Sequence, residues 1–149
     1  MPEIAEVETV RRHLQLALRG QKIAEVEFDK DDRYLFSFAS ASAFRKALAG
    51  AKVHTVGRRG KYFWFELDRK PWPIFHLGMT GNVIIHRPGA KKISRLVWGG
   101  LTLQNEKTAA STTERERMWF ARLILRGQRG LEIALLDPRR FAKVWLSDE

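Results

Sequence analysis

The sequence predicts a mainly β fold: a two-layered antiparallel β-sandwich, or flattened barrel, with an N-terminal α-helix packed on it and one minor helix. Three observations support this fold class. Only the N-terminus carries a long segment with helical periodicity, the remainder divides into eight or nine short strand-like segments, and short connections join them. Short connections favour antiparallel neighbours, and 149 residues suit one domain.

The predicted N-terminal helix covers residues 3–19. Gly20 follows the basic Arg19 and provides a stop signal. The apolar positions recur at helical spacing, so they form one stripe that we expect to pack on a sheet. This stripe consists of Ile4, Val7, Val10, Leu14, Ala17 and Leu18.

The next segments predict a strand, a charged turn, a short strand and a small helix. Alternation of apolar and polar residues over 22–29 indicates a strand with one buried face. Residues 29–33 form the charged turn, residues 34–38 are a short strand candidate, and residues 42–48 predict a small helix that ends at Gly50.

Two further strands, 52–56 and 62–67, are joined by Gly-Arg-Arg-Gly-Lys at 57–61. Both glycines tolerate positive φ, so we predict a hairpin turn that presents three cations. Such a turn is most often a soluble hairpin tip, but cations on an exposed backbone also suit phosphate contact. Lys61 lies where the turn re-enters the strand, so its reach is better defined than that of Arg58 or Arg59.

A loop with a single methionine follows. Pro71 to Pro73 break the chain before Ile-Phe-His-Leu-Gly-Met-Thr-Gly at 74–81, and residues 82–86 predict another strand. The two glycines imply a tight, positive-φ loop around Met79. A methionine between glycines has few neighbouring side chains to pack against, so a core position is less expected than usual. An exposed Met79 could serve as a wedge between bases.

The second half of the chain predicts four more strands. They cover residues 97–103, 119–125, 131–136 and the segment that ends at Leu146. A Gly99-Gly100 bulge interrupts the first of them, and the polar residues 105–117 predict a mobile excursion. On its residues alone, Asp-Pro-Arg-Arg-Phe-Ala at 137–142 indicates an ordinary turn that enters a strand.

The composition predicts a polyanion as partner. Twenty-seven Lys and Arg against seventeen Asp and Glu give a formal net charge of +10, with a pI near 10.4.

The absence of cysteine excludes disulfides, a thiolate zinc site and a cysteine nucleophile within this chain, and favours an intracellular protein. The four histidines are scattered without ligand spacing, so we predict no metal and no cofactor. No apolar run is long enough to span a bilayer. The N-terminus carries acidic residues rather than a basic region followed by an apolar one, so the sequence predicts no signal peptide.

The first residues offer nucleophilic chemistry. If Met1 is removed, Pro2 becomes a free secondary amine, and an α-amino group has an ordinary pKa of about 7.7 to 8.0. Amines are covalent catalysts toward carbonyl-like carbons, and Glu3 can supply or take a proton. Glu6, one turn further, either joins this site or is merely solvated. The structural alternative is that proline and acidic residues simply suit a first helical turn, and residue type alone favours it.

Four motifs, in this order and at these separations, resemble the formamidopyrimidine-DNA glycosylase and endonuclease VIII family. They are Met-Pro-Glu-Ile-Ala-Glu-Val-Glu at 1–8, Gly-Arg-Arg-Gly-Lys-Tyr at 57–62, His-Leu-Gly-Met-Thr-Gly at 76–81 and Asp-Pro-Arg-Arg-Phe at 137–141. Any one of them alone is weak, whereas together they span nearly the whole chain. The sequence departs from the family pattern in two places. Ala5 stands where many relatives have proline, and Arg-Met-Trp-Phe at 117–120 stands where a histidine-containing stretch is common.

The resemblance implies a bifunctional DNA glycosylase and abasic-site lyase that removes oxidised bases. Pro2 would be the nucleophile that forms a Schiff base with the deoxyribose, Glu3 the acid that assists ring opening, and Lys61 a phosphate contact and proton donor for β-elimination. Glu6 would lie near the lesion, and Arg58 would contribute to DNA binding through the cationic turn. The residues that would fill the space of the everted nucleotide are Met79, Arg139 and Phe141.

The resemblance also implies a domain assignment and partners. Residues 1–149 would be the N-terminal catalytic domain, and the helix-two-turn-helix and zinc-finger domains of the family would lie outside this sequence. The expected partner is double-stranded DNA with oxidised bases or abasic sites, bound by a monomer. Two alternatives stay open: a non-catalytic damaged-DNA-binding module or inactive fragment, and a basic β-sandwich for RNA or general polyanion contact.

Overall fold

The structure is a computed structural model that describes residues 3–28, 32–36, 40–79, 81–86, 94–95, 102–103, 121–137 and 142–148. The helices are α1 (Ile4–Leu18), α2 (Ala41–Leu48) and a 3-10 turn (Gln128–Gly130). The strands are β1 (Glu25–Phe28), β2 (Val53–Arg59), β3 (Tyr62–Leu67), β4 (Trp72–His76), β5 (Asn82–His86), β6 (Ser94–Arg95), β7 (Thr102–Leu103), β8 (Ala121–Arg126), β9 (Glu132–Leu136) and β10 (Lys143–Ser147).

The strands form two antiparallel sheets that pack face to face, which confirms the predicted sandwich. One sheet has the order β1-β8-β9-β5-β6-β7 and the other the order β10-β4-β3-β2. Side chains from both sheets meet in the same core. Phe63, Phe65 and Phe75 of the four-stranded sheet surround one void of about 20 Å³ together with Val83 and Leu135 of the other sheet.

Helix α1 packs with its apolar stripe on this core, as predicted. The buried residues of the helix are Val7, Val10, Leu14, Ala17 and Leu18. Ile4, the first member of the predicted stripe, is half exposed because it lies at the helix terminus, beyond the edge of the core. Among the helices of the described residues, none combines the length and apolar character that crossing a membrane requires.

The segment predicted as a strand over 34–38 begins instead as a turn. The Asp32 carboxylate accepts a hydrogen bond from the Leu35 N–H at 3.0 Å, and the Asp32 carbonyl accepts one from the Phe36 N–H at 3.2 Å. Short aspartate side chains favour such turns because they bond to the backbone a few residues further on. Residues 37–38 lie outside the described residues.

The hairpin turn is shorter than predicted. β2 continues to Arg59, which pairs with Tyr62, so the turn consists of Gly60 and Lys61 alone. Gly60 has φ +61°, as expected, but Gly57 lies inside the strand and does not adopt positive φ. A Cβ at Gly57 would lie 2.5 Å from the Trp64 ring, so this glycine is needed for close packing rather than for a turn.

The predicted break at Pro71 to Pro73 is wrong for two of its three residues, because β4 begins at Trp72 and includes Pro73. Pro73 is opposite Leu146 of β10, whereas the pairing of β4 with β3 ends at Ile74 and Trp64. Pro73 therefore lies one residue outside the paired region between β3 and β4, and its missing N–H does not interrupt those hydrogen bonds. The Gly99-Gly100 bulge and the excursion over 105–117 lie outside the described residues.

Candidate active site and nucleic-acid interface

Three connections that carry predicted site residues leave the sandwich at one edge. Strand register places Tyr62, His76 and Lys143 side by side across β3, β4 and β10. Lys61 directly precedes Tyr62, the loop with Met79 follows His76, and residues 138–141 precede the start of β10. Arg139 and Phe141 themselves lie outside the described residues, but the ends of their segment are described and lie at this edge.

Helix α1 is fixed along β2 by polar contacts at successive levels. Gln15 accepts hydrogen bonds from the Thr55 hydroxyl at 2.8 Å and from the Val56 N–H at 2.6 Å. Arg11 donates to the Val56 carbonyl at 3.2 Å, and Glu8 accepts from Arg58 Nε at 2.8 Å. Along these contacts the residue numbers of the helix decrease from 15 to 8 while those of the strand increase from 55 to 58, so the helix runs antiparallel to β2.

This alignment brings the beginning of the helix level with the hairpin turn. Glu3 lies five residues before Glu8, which is about 7.5 Å along a helix axis. A strand covers the same distance in roughly two residues. Starting from Arg58, which contacts Glu8, two residues reach Gly60 in the hairpin turn. The structure therefore brings Glu3 and Lys61 to the same end of the molecule, whereas Met1 and Pro2 lie outside the described residues.

The two candidate carboxylates are not used for helix capping. Glu3 occupies the N-cap with extended backbone angles, and its carbonyl accepts the Val7 N–H at 3.0 Å. Within the described part of the chain its side chain makes no capping hydrogen bond and is exposed. Glu6 is half-buried and has no ion pair with another described residue. The Glu3 side chain therefore does not cap the helix, whereas the favourable interaction of an acidic first turn with the helix dipole needs no such hydrogen bond.

Arg58 connects the helix and the hairpin rather than extending from the turn. Its Nε bonds Glu8, and its Nη1 donates to the Gly60 carbonyl at 2.9 Å. Glu8 also binds Arg11 and Arg12 at 2.8 and 2.9 Å. These contacts, with the Arg11 hydrogen bond as the largest cause, hold the pKa of Glu8 well below its usual range although burial opposes the shift. DNA contact by Arg58 stays a prediction.

His76, which the sequence analysis did not single out, lies beside the candidate Lys61. Its Nδ1 accepts a hydrogen bond from the Gly78 N–H at 2.9 Å, so the neutral ring carries its proton on Nε2. Burial first, and then the positive charge of Lys61, lower the pKa of His76. The Tyr62 ring meets the imidazole edge-to-face at 4.8 Å. The only sequence signal was the position of His76 at the head of the Gly-Met-Thr-Gly loop.

Met79 lies in a tight loop, as expected, but only one of the two glycines adopts positive φ. Gly78 has φ +68°, whereas Gly81 does not adopt positive φ, and its N–H donates to the Leu77 carbonyl at 2.9 Å. A Cβ at Gly81 would lie 2.1 Å from the Leu77 oxygen, so this glycine permits the close backbone approach that narrows the loop. Met79 is 48% exposed, which leaves its side chain available as a wedge.

Buried polar groups fix both ends of the 138–141 segment. The Asp137 carboxylate is fully buried and accepts the Ala142 N–H at 2.6 Å. Arg122 donates to the Asp137 carbonyl at 3.3 Å and lies 3.5 Å from the buried carboxylate of Asp32. Sequence reasoning missed the contacts of Arg122 because its partners Asp137 and Asp32 lie 15 and 90 residues away.

The edge thus combines an exposed carboxylate, a lysine ammonium and an imidazole N–H donor, a set suited to proton transfer and to contact with anions. No three His, Asp or Glu side chains converge as metal ligands in the ranges that the structure describes.

The sequence matches the family described as the formamidopyrimidine-DNA glycosylase N-terminal domain over residues 1–144. A formamidopyrimidine-DNA glycosylase of Arabidopsis thaliana is 32% identical over 146 residues, which is 98% of this chain and 34% of the relative. One from Caulobacter sp. strain K31 is 33% identical over 141 residues, or 95% of this chain and 44% of the relative. The chain therefore spans less than half the length of these relatives.

Solved structures resemble the fold over nearly its whole length. Lactococcus lactis formamidopyrimidine-DNA glycosylase bound non-covalently to DNA that contains an AP site has a TM-score of 0.68 and 26% identity, and covers 97% of this chain and 44% of its own. A complex of MutM with DNA that contains carbocyclic 8-oxo-G has the same TM-score and identity, and covers 97% and 43%.

Proposed function

We propose a DNA-repair function on the premise that this chain belongs to the formamidopyrimidine-DNA glycosylase family, to which its match over residues 1–144 assigns it. The activity is that of a bifunctional DNA glycosylase and abasic-site lyase, which removes an oxidised base and then cleaves the strand. The substrate is double-stranded DNA inside the cell, bound by a monomer. DNA in the similar solved structures supports this substrate class.

The reaction begins at the N-terminal amine. After removal of Met1, the Pro2 nitrogen attacks C1′ of the damaged nucleotide, and the base leaves with the electrons of its glycosidic bond and takes up a proton. Glu3 protonates the sugar ring oxygen as the ring opens, which leaves an iminium between Pro2 and C1′. Loss of a C2′ proton then expels the 3′ phosphate by β-elimination, and a further δ-elimination removes the 5′ phosphate. Water finally hydrolyses the iminium and restores the amine.

The other predicted residues bind and open the duplex. Lys61 contacts phosphate and donates a proton during β-elimination, and Arg58 and Glu6 belong to the DNA-binding surface. Met79, Arg139 and Phe141 occupy the space of the everted nucleotide. Extrusion of a base costs a few kcal/mol of stacking and pairing, and wedge residues recover part of this free energy.

One observation carries the proposal: the contacts of α1 along β2 bring the beginning of the helix level with the hairpin turn. A chain that used proline and glutamate only to start a helix would not need Lys61 at the same level.

The test is borohydride trapping on a duplex with one abasic site, with protein whose N-terminus has been checked by mass spectrometry. We expect a covalent protein–DNA adduct, its loss in Pro2→Gly and its strong reduction in Glu3→Gln. Lys61→Met should lower the yield only below saturating DNA, through the lost phosphate contact, because its proton donation follows the trapped iminium. Lys46→Met, which removes an exposed lysine of α2, is the matched control and should not alter the yield. Absence of the adduct from correctly processed protein that still binds the duplex would instead identify a non-catalytic DNA-binding module.

A further inference from the structure

The outer face of the four-stranded sheet carries aromatic side chains toward solvent. Register places one row of residues across β2, β3, β4 and β10, namely Gly57, Trp64, Ile74 and Trp145. The adjacent row, nearer the hairpin turn, is Arg59, Tyr62, His76 and Lys143. Because side chains alternate along a strand, both rows lie opposite the core residues Phe63 and Phe75.

The rings on this face are held in place by their neighbours. The Trp64 indole lies directly over Gly57, where a Cβ would approach it to 2.5 Å, and its N–H donates to Glu66 at 3.3 Å. Tyr62 meets Trp145 edge-to-face at 5.6 Å. Tyr62 nevertheless stays 45% exposed. Exposed aromatic surface of this kind indicates a binding partner.

These rings line an open groove of about 930 Å³, which Lys61 and Arg59 border at one end. Neither cation has an ion-pair partner among the described side chains, in contrast to Arg58. The groove therefore combines apolar planar surface with positive charge, and the whole chain has a formal charge of +10. A partner that suits both features has planar rings and regularly spaced negative charges.

We propose that this groove binds a single-stranded stretch of nucleic acid, with phosphates beside Arg59 and Lys61 and bases against Tyr62 and Trp145. The proposal deepens the proposed function and rests on it, since Lys61 would already contact DNA. Paired bases cannot stack on protein rings, so a duplex would use only the cations, whereas an unpaired strand uses both features. Continuity with the Lys61 edge favours nucleic acid over an acidic peptide.

The test compares two fluorescein-labelled 12-mers by fluorescence anisotropy at matched low salt: oligothymidylate, and a base-free and sugar-free oligomer of propanediol phosphates with the same number of phosphates. We expect the full chain to bind oligothymidylate at least about tenfold more tightly, within the range found for base–aromatic stacking. Trp145→Leu should remove most of this difference, and Trp64→Leu should reduce it. Tyr34→Leu removes an exposed ring outside the groove and serves as control.

Equal affinity for the two oligomers would overturn the proposal, as would an equal effect of Tyr34→Leu. Displacement of oligothymidylate by a poly-glutamate peptide with interspersed aromatic residues, at equal charge concentration, would assign the groove to an acidic peptide. Loss of self-association in Trp145→Leu would assign the groove to a second copy of this chain.

Thermal unfolding of each variant shows whether that variant is folded. A preference for oligothymidylate without any abasic-site adduct would support the groove and contradict the repair chemistry, so the two failures are distinguishable.

Discussion

Arg58 Nε donates to Glu8 Oε1 at 2.8 Å, and this contact joins positions 50 residues apart in the sequence. The same guanidinium bonds the Gly60 carbonyl in the hairpin turn. Arg58 thereby links the helix that begins at the candidate acid Glu3 to the turn that carries Lys61. Both side chains of the ion pair are about three-quarters buried, so solvent screens the pair only in part.

Arg58→Met should impair positioning more than DNA affinity. We expect a loss of about 1–2 kcal/mol in the free energy of unfolding from the lost charge-assisted hydrogen bond. A change of this size corresponds to a few degrees in melting temperature for a chain of this length. The trapping rate at saturating DNA should fall roughly tenfold if the helix shifts by a fraction of an ångström. Arg58→Lys should restore only part of the rate because lysine lacks the planar fork.

Arg12→Met is the matched control for this prediction. Arg12 contacts the same Glu8 carboxylate at 2.9 Å, but it is exposed and does not touch the hairpin. Its loss should change the melting temperature by less than about 1 °C and leave the trapping rate unaltered. Equal effects of the two substitutions would show that the Glu8 cluster stabilises the helix without positioning the hairpin.

The low pKa of Glu8 predicts a pH-dependent contribution to stability. The folded-state pKa lies below the ordinary value of 4.5, so the unfolded chain binds the proton first as the pH falls. The contribution is complete above pH 4.5 and decreases by at most about 1.4 kcal/mol for each pH unit below it. Wild type should therefore be more stable than Glu8→Gln at pH 7, and the difference should shrink between pH 5 and pH 3. Thermal unfolding across this range measures it, and a constant difference would contradict the assignment.

The sequence predicts those features whose cause is local. The periodic stripe of α1 specified its buried face, and two glycines around Met79 specified an exposed loop. The turn at 33–36 was missed because the apolar residues there suggested a strand, whereas the Asp32 side chain determines the backbone path. The roles of Pro2, Arg139 and Phe141 stay predictions, since these residues lie outside the described ranges.

The features that sequence reasoning missed depend on contacts between distant segments. Nothing near Gly57 reveals that Trp64 packs on it, so the glycine was assigned to the turn by its residue type. The spacing of Glu8 to Arg11 and Arg12 predicts local helix pairs, but not the third arginine from β2. Long-range partners of this kind require the register of the sheet and the seating of the helix, which local patterns do not contain.

Gly57→Ala should destabilise the protein through Trp64. The new Cβ would lie 2.5 Å from the indole, so the ring must move, and overpacking of this kind costs roughly 1–3 kcal/mol. In a Trp64→Leu background the same substitution should cost distinctly less, which a double-mutant cycle by urea unfolding measures. Gly127→Ala is the control, because the nearest atom to its Cβ would be Leu131 Cδ2 at 3.2 Å, followed by Leu131 Cβ at 3.5 Å, which is a much milder contact. Equal costs with and without Trp64 would refute the close contact.

Lys61→Met should raise the pKa of His76 without restoring the ordinary value. Burial is the larger cause of the lowered pKa and remains in the variant, whereas the charge of Lys61 is lost. NMR titration of the ring protons measures both values. In wild type the unfolded chain protonates first as the pH falls below about 6.5, so the contribution of His76 to stability decreases through the range down to its folded-state pKa. An unchanged pKa in Lys61→Met would mean that the ammonium does not lie near the imidazole.

Asp137→Ala should disturb the segment that carries Arg139 and Phe141. The Asp137 carboxylate is fully buried and accepts the Ala142 N–H at 2.6 Å, so its removal leaves a buried donor without this partner. We expect a loss of about 1–3 kcal/mol in the free energy of unfolding, and a smaller loss in Asp137→Asn, whose amide oxygen can still accept. If the carboxylate positions the wedge residues, Asp137→Asn should retain more discrimination between abasic and intact duplex than Asp137→Ala in competition binding. The same discrimination in both variants, at temperatures where both are folded, would restrict Asp137 to a structural role.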